Sequence, residues 1–216
     1  MTEDEARALA AQLGHPKGED GIEVGQRMHS TNINMIRKSA AALQLRPGES
    51  LIEVGHGSGA HVPELLQEYK TLSYSGLEIS STMHEQAKDG NRGFSSQAKF
   101  KLYDGQSLPM DDDSADAILT VNSIYFWKKP EALFREFHRV LRPDGRVAIG
   151  LGEKEFMETL PVVKHGFTTY NRQDLLKVLA GTGLVLKDFQ DHNETVESNM
   201  NGLVDRKFHV ALLGLE

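Results

Sequence analysis

A glycine-rich stretch, LIEVGHGSG at positions 51–59, is the feature that most constrains how this chain folds. Its first residues, 51–54, are apolar apart from Glu53 and short enough for a buried strand, and a helical pattern begins at Ala60. Between the two stand three alternating glycines, Gly55, Gly57 and Gly59. Glycine tolerates positive φ and lets a ligand approach the backbone, and a helix N-terminus presents unpaired amides. The stretch therefore predicts a strand, a tight loop and a helix around a nucleotide pocket.

The glycine spacing alone leaves two classes of cofactor open. Gly55, Gly57 and Ala60 also satisfy the relaxed fingerprint of NAD-dependent enzymes. With Glu53 before the glycines, the stretch is E-x-G-x-G-x-G, which resembles motif I of the class I methyltransferases that depend on S-adenosylmethionine (SAM). This resemblance implies that Glu53, Gly55, Gly57 and Gly59 bind SAM.

The next predicted strand, residues 72–80, carries an acidic residue at its end, Glu78. A carboxylate at the end of the second strand can accept hydrogen bonds from both ribose hydroxyls, so Glu78 predicts an adenosine ligand without choosing which. The run from Glu78 to Met83 also resembles the family's second motif, which implies that Ile79 and Met83 pack on adenine. The alternative is that Met83 belongs to the core.

A third strand, residues 99–103, leads into the sequence DGQSLPM. This resembles the family's G-D-A-x-x-L-P-F stretch. The resemblance implies that Asp104 accepts from the adenine amino group, that the amide of Gly105 meets the ring, and that Gln106 belongs to the same cofactor-binding stretch. Gly105 replaces a commoner alanine, which leaves the amide intact.

A buried strand over residues 115–121 is followed by Asn122 and three aromatic residues. Ligands bind at the carboxyl ends of strands in open α/β sheets. Residues 122–150 resemble the family pattern N-x-x-x-x-W-x-x-P…R-V-L-R-P-G-G, which implies that Asn122 contacts the cofactor. Tyr125 and Trp127 are candidates for a substrate pocket, although aromatic residues dominate cores as well. The resemblance covers residues 51–151, about half of the chain.

Two helical patterns, residues 6–13 and 23–45, precede the first strand and are separated by a glycine-bounded segment, 14–21, that predicts a mobile loop. In the resembling family such helices cover the cofactor, which implies contacts from Met28 and Asn32. The alternative is a helix packed only for stability. We expect one domain, 1–216, in which residues 1–48 form an N-terminal helical cap or lid on a SAM-binding core, 49–216.

The last third of the chain predicts a helix capped by Asn171 and two final strands, 184–189 and 208–215, joined by a polar stretch, 190–207. A closing strand pair is what the family's sheet requires. The expected fold is α/β, a Rossmann-like seven-stranded sheet of order 3-2-1-4-5-7-6 with strand 7 antiparallel and helices on both faces. A dinucleotide domain would more often continue with another helix and parallel strand.

Composition narrows the class of protein. The net charge of −7 without a block of Lys or Arg disfavours nucleic acid as a partner. The chain has no cysteine, so it has no disulfide and no thiolate metal site. Its acidic start and the lack of a long apolar run predict no secretory peptide and no membrane span, hence a cytoplasmic protein. Its nine histidines form no recognisable ligand array, and we predict no metal.

Individual histidines keep alternative roles. His56, in the glycine loop, projects over the cofactor or into solvent, and solvent is the favoured prediction. His61 is expected in the first turn of the following helix. His165 and Tyr170 fall after the fifth strand, where related enzymes carry substrate-facing residues, although packing is an equal alternative for Tyr170.

The sequence therefore predicts a SAM-dependent methyltransferase that acts on a small-molecule acceptor by in-line displacement. No general base stands out, and none is needed if the acceptor is already anionic. Two alternatives stay open: an NAD-dependent reductase and a catalytically silent SAM-binding protein that acts through a partner. The acceptor, the type of atom methylated and the oligomeric state are also open, because fold does not fix function.

Overall fold

The computed structural model describes residues 1–198 and 202–216. Its strands are β1 (Ser50–Val54), β2 (Ser73–Glu78), β3 (Ala98–Leu102), β4 (Ala115–Val121), β5 (Leu141–Gly152), β6 (Leu184–Ser198) and β7 (Gly202–Leu215). Its α-helices are α1 (Glu3–Gly14), α2 (Gly18–Ala42), α3 (Val62–Glu68), α4 (Ser81–Gly90), α5 (Pro130–Val140), α6 (Lys154–Glu158) and α7 (Arg172–Leu179). Within the described residues, no helix combines the length and the apolar character that crossing a membrane would require.

The strands form one sheet in the order β3-β2-β1-β4-β5-β7-β6, with β7 antiparallel to both neighbours. This confirms the predicted order and the predicted antiparallel strand. β1 runs parallel to β2 and to β4, so the carboxyl ends of these strands meet at the same edge of the sheet. The loops that begin at Gly55, Ile79 and Asn122 are therefore neighbours in space, although they are far apart in the chain.

Helices cover both faces of the sheet, and the sheet divides the core in two. On one face, α5 and α7 bury Phe134, Phe137 and Leu175 against the central strands. On the other face, α2 and α3 bury Met35 and Leu66. Burying a large apolar side chain contributes about 1.5–3 kcal/mol, so both faces of the sheet are strongly fixed.

The predicted loop over residues 14–21 is wrong, because helix occupies most of it. α1 ends at Gly14 and α2 begins at Gly18, so only residues 15–17 connect them. Glu19 and Asp20 lie in the first turn of α2, where acidic side chains complement the helix dipole. Gly21 permits close packing, because a Cβ atom there would lie 2.7 Å from the carbonyl carbon of Pro16. The cap therefore consists of two closely joined helices.

The predicted polar linker over residues 190–207 is also wrong where the structure describes it, and residues 199–201 of that stretch lie outside the described residues. β6 and β7 continue as a paired hairpin to the register Ser198↔Gly202. Cross-strand pairs stabilise it, since the hydroxyl of Thr195 donates to Asp205 and the guanidinium of Arg206 donates to Glu194. A hydrophobic pattern misses such strands because their pairing is polar.

Candidate functional site

A cavity of about 600 Å³ opens at the carboxyl ends of β1, β2 and β4, beneath α1 and α2. It brings together every predicted cofactor residue but one. Those lining it are Met28, Asn32, Glu53, Gly55, Gly57, Glu78, Ile79, Met83, Asp104, Gly105, Gln106 and Asn122. Gly59 is the exception.

The three glycines of the loop after β1 adopt positive φ, at 78° for Gly55, 58° for Gly57 and 64° for Gly59. A Cβ atom on Gly57 would meet nothing within 4 Å, so the backbone at this position borders open space. A Cβ atom on Gly59 would lie 2.9 Å from that of Ala87 in α4. Gly57 therefore leaves room in the cavity, whereas Gly59 lets the loop pack on α4.

Glu78 ends β2 as a carboxylate that is only 6% exposed. One of its oxygens accepts from the amides of Ile79 at 2.8 Å and Ser80 at 2.9 Å, and the other accepts from the amide of Gly57 at 3.0 Å. Burial raises the pKa of Glu78, and the three amides oppose this rise. The oxygen that accepts from Gly57 keeps lone-pair capacity for a ligand, whereas the other oxygen already accepts two hydrogen bonds. Glu78 thus holds the glycine loop and borders the cavity at once.

The loop after β3 brings Asp104 to the same cavity. One oxygen of Asp104 accepts from the amides of Gln106 and Ser107, both at 2.8 Å. These hydrogen bonds lower the pKa of Asp104, so its carboxylate is an anionic acceptor. Unlike Glu78, Asp104 is exposed to solvent. The adjoining Gly105 has a φ of 77° and lies close to Ile79.

Met83 combines the two predicted roles, since it is fully buried and also borders the cavity. A Cβ atom on Gly25 would lie 2.6 Å from its sulfur, so Met83 packs directly under α2. The residue thus forms part of both the core and the cavity wall, and it joins the cap to α4.

Glu53 lies at the centre of a buried network that sequence reasoning missed. Its carboxylate, 2% exposed, accepts from the hydroxyl of Tyr74 at 2.7 Å and pairs with Nε2 of His61 at 2.8 Å. Burial opposes ionisation, but His61 and Tyr74 lower the pKa of Glu53. His61, expected in the first helical turn, occupies the N-cap position of α3. Its ring stacks on that of His29 in α2 with centroids 6.3 Å apart.

Asn122 follows β4 with an unusual positive φ of 52° for a residue other than glycine. Its side-chain oxygen accepts from the hydroxyl of Tyr125 at 2.9 Å, and that hydroxyl accepts from the amide of Gly152 at 2.6 Å. Tyr125 is buried behind Asn122 and does not border the cavity. Tyr125 therefore holds the side chain of Asn122 through this hydrogen bond.

Of the four residues predicted to face a substrate, Trp127 alone borders the cavity. Tyr125 and Tyr170 lie in the core, and His165 lies outside the cavity wall. Phe126, which the sequence analysis did not single out, borders the cavity beside Trp127. The aromatic run after β4 was the available signal, but the sequence does not show which of its side chains turns inward.

The favoured prediction for His56, a solvent-facing side chain, is wrong. His56 is 4% exposed, its Nδ1 lies 2.8 Å from the carbonyl oxygen of Gly57, and its ring meets the edge of Phe100 with centroids 5.1 Å apart. The cause lies on the neighbouring strand, where a Cβ atom on Gly76 would be 2.7 Å from the imidazole. Burial lowers the pKa of His56 to about 4.

Comparison with known proteins identifies the architecture. A family model described as a methyltransferase domain matches residues 52–149, the segment that contains the glycine loop, Glu78 and Asp104. The matched segment makes up a little under half of the chain. A SAM-dependent methyltransferase from Aquifex aeolicus shares the fold over the full length of both chains, with a TM-score of 0.67 and 16% identity.

Two curated relatives resemble part of this chain. Methyltransferase GfsG from Streptomyces halstedii is 32% identical over 129 residues, which are 59% of this chain and 44% of that protein. The fatty-acid O-methyltransferase from Mycolicibacterium smegmatis is 29% identical over 124 residues, 57% of this chain and 44% of that protein. Each match therefore spans less than half of the relative.

Burial of His56 predicts a dependence of stability on pH. Its pKa is about 4 in the folded domain against 6.5 ordinarily, so the unfolded chain binds this proton first as the pH falls. The free energy of unfolding should therefore drop between pH 6.5 and pH 4, by up to about 1.4 kcal/mol per pH unit from this group. His56→Asn, which retains a donor for Gly57, should make this dependence shallower in urea unfolding. His165→Asn is the control, and equal slopes for wild type and His56→Asn would contradict the assignment.

Proposed function

We propose that this protein binds SAM in the cavity and transfers its methyl group to a small-molecule acceptor by in-line displacement. The observation that carries the proposal is the placement of Glu78, a buried carboxylate with spare acceptor capacity, beside the open backbone of Gly57. The family match supports SAM as the ligand of this arrangement.

The order of the strands suits an extended adenosine cofactor. Asp104 and Gly105, after β3, would receive adenine, and Ile79 and Met83 would pack on its ring. Glu78, after β2, would accept from the ribose hydroxyls, as carboxylates at this position do in nucleotide folds. The amino-acid part of the cofactor would then extend over β1 and β4.

SAM, when bound, supplies an electrophilic methyl group, and the chain contributes orientation and the exclusion of water. Holding a nucleophile and its target in near-attack geometry is worth about 7–11 kcal/mol in favourable model reactions. Leu13, Phe126 and Trp127 form an apolar wall of the cavity, against which the acceptor would bind. This wall supports an acceptor with an apolar body, and the name of the fatty-acid O-methyltransferase relative is consistent with one.

Calorimetric titration with SAM, its product S-adenosylhomocysteine and NAD tests the choice of cofactor. We expect the first two to bind and NAD not to bind. Transfer of a labelled methyl group to a panel of fatty acids, phenols and amines then tests the reaction. Binding of NAD in place of SAM would overturn the proposal, and SAM binding without turnover on the panel would favour a silent SAM-binding protein.

Glu78 should contribute more to cofactor affinity than Asp104. Glu78→Gln keeps an acceptor for the amides of Ile79 and Ser80 but removes the charge and the acceptor for Gly57. We expect affinity for SAM to fall about tenfold or more, as for hydrogen bonds to charged groups. Asp104→Asn should cost less, because this side chain is exposed and already solvated. Glu85→Gln, an exposed carboxylate in α4, is the matched control. A larger loss at Asp104, or none at Glu78 in a protein with an unchanged melting temperature, would contradict the assignment.

The proposal includes a lid, residues 1–48, on a core formed by residues 49–216. The end of α1 and the part of α2 from Gly25 to Ile36 border the cavity, whereas Met35, Ser39 and Ala40 are buried against the sheet. Closure would exclude water from the reaction. Hydrogen exchange should become slower in residues 14–30 when S-adenosylhomocysteine binds, while residues 35–42 should be slow throughout and serve as the internal control. Slow exchange in residues 14–30 that does not change on binding would contradict the lid.

A further inference from the structure

The terminal hairpin reaches the cavity through Arg206. We infer that Arg206 fixes the side-chain amide of Asn32 so that its NH2 group is presented to the cavity, as a donor for the carboxylate in the amino-acid part of the cofactor. Arg206 is in this sense a positioning residue that acts through Asn32. The inference rests on the proposed function.

A buried polar network joins the hairpin to α2. Nε of Arg206 donates to Glu194 at 2.6 Å, and Nη2 donates to Asn32 Oδ1 at 3.3 Å and to the carbonyl oxygen of Thr31. The second oxygen of Glu194 accepts from Asn34 Nδ2 at 2.8 Å. The side chains of Arg206 and Glu194 are 15% and 6% exposed. The network thus anchors the segment of α2 that carries Asn32.

Arg206 also determines which way the Asn32 amide points. A guanidinium group only donates hydrogen bonds, so the oxygen of the amide must face Arg206 and the NH2 group must face away from it. Asn32 borders the cavity, and in residues 1–198 and 202–216 its NH2 group has no hydrogen-bond partner. The NH2 group of Asn32 is therefore a hydrogen-bond donor that faces the cavity.

Contacts of α2 place this donor over β1 and β4. One turn before Asn32, His29 stacks on His61, which follows the glycine loop of β1. Almost one turn after it, Met35 packs on Gly150 of β5, where a Cβ atom would be 3.1 Å from Met35 and 3.2 Å from Val121 of the neighbouring β4. Asn32 lies between these two anchor points.

This position corresponds to the amino-acid end of the cofactor. Adenine at Asp104 over β3 and ribose at Glu78 over β2 direct the rest of the molecule toward β1 and β4, because the sheet order is β3-β2-β1-β4. The cavity wall contains three carboxylates, Glu53, Glu78 and Asp104. A ligand carboxylate over β1 and β4 therefore needs a donor there, and a fixed NH2 group supplies it without adding a charge.

Two variants separate the parts of the inference. Asn32→Asp preserves an acceptor for Arg206 but replaces the donor with a carboxylate oxygen, so the fold should be kept while a ligand carboxylate is repelled. Arg206→Met combined with Glu194→Gln releases the amide without leaving a buried charge unpaired. Asp205→Asn, next to Arg206 on the hairpin and paired with the exposed Thr195, is the control.

Binding is measured by calorimetry with two ligands, S-adenosylhomocysteine and 5′-methylthioadenosine, which lacks the amino-acid part. Asn32→Asp should weaken the first at least about tenfold and leave the second within about twofold, because the lost hydrogen bond is to a charged group. Its melting temperature should not fall. Arg206→Met with Glu194→Gln should weaken S-adenosylhomocysteine about threefold to tenfold and again spare 5′-methylthioadenosine.

Three results would overturn the inference. Wild-type affinity of Asn32→Asp for S-adenosylhomocysteine would remove the role of Asn32, and equal losses of both ligands would indicate general disruption of the cavity. Wild-type affinity of the Arg206 variant would remove the role of Arg206. A wild-type protein that binds neither ligand would instead overturn the proposed function, which distinguishes the two failures.

Discussion

The cavity depends on the carboxylate of Glu78. It accepts hydrogen bonds from Gly57 in the loop after β1 and from Ile79 and Ser80 at the start of the loop after β2, so it joins two loops that belong to different strands. Leaving any of these amides unpaired costs about 1–3 kcal/mol. The same three bonds offset the energetic penalty of burying the charge. One residue therefore holds the loop geometry and keeps an anionic acceptor at the edge of the sheet.

Local sequence features predicted the core of this arrangement because its determinants are local. A strand that ends in glycines, and a second strand that ends in Glu78, require only the next few residues to adopt their structure. The sheet order followed from the resemblance and from the closing strand pair. His56 was predicted wrongly because the space it fills is created by Gly76 on the neighbouring strand. Gly76 belongs to β2, and a single sequence does not show that this strand lies beside His56.

Most of what sequence reasoning missed consists of contacts between different elements of the fold. His61 and Tyr74 share the carboxylate of Glu53 inside the fold, and neither pattern nor spacing marked them as partners. The hairpin is the clearest case. Its strands pair through polar residues that resemble a solvated linker, and Arg206 meets Asn32 from the opposite end of the chain. Periodicity detects a buried apolar face, and residues 190–197 and 202–207 of this hairpin do not form one.

Only part of the cavity wall comes from the segment that matches the family model. The walls that would receive adenosine come from residues 52–149, the segment that the methyltransferase family model matches. The remaining walls include Leu13, Met28 and Asn32 from the cap, and Arg206 of the hairpin donates a hydrogen bond to Asn32. These residues lie outside the matched segment. Proteins that share the segment can therefore share a way of binding adenosine and still differ in the cap residues that border the cavity.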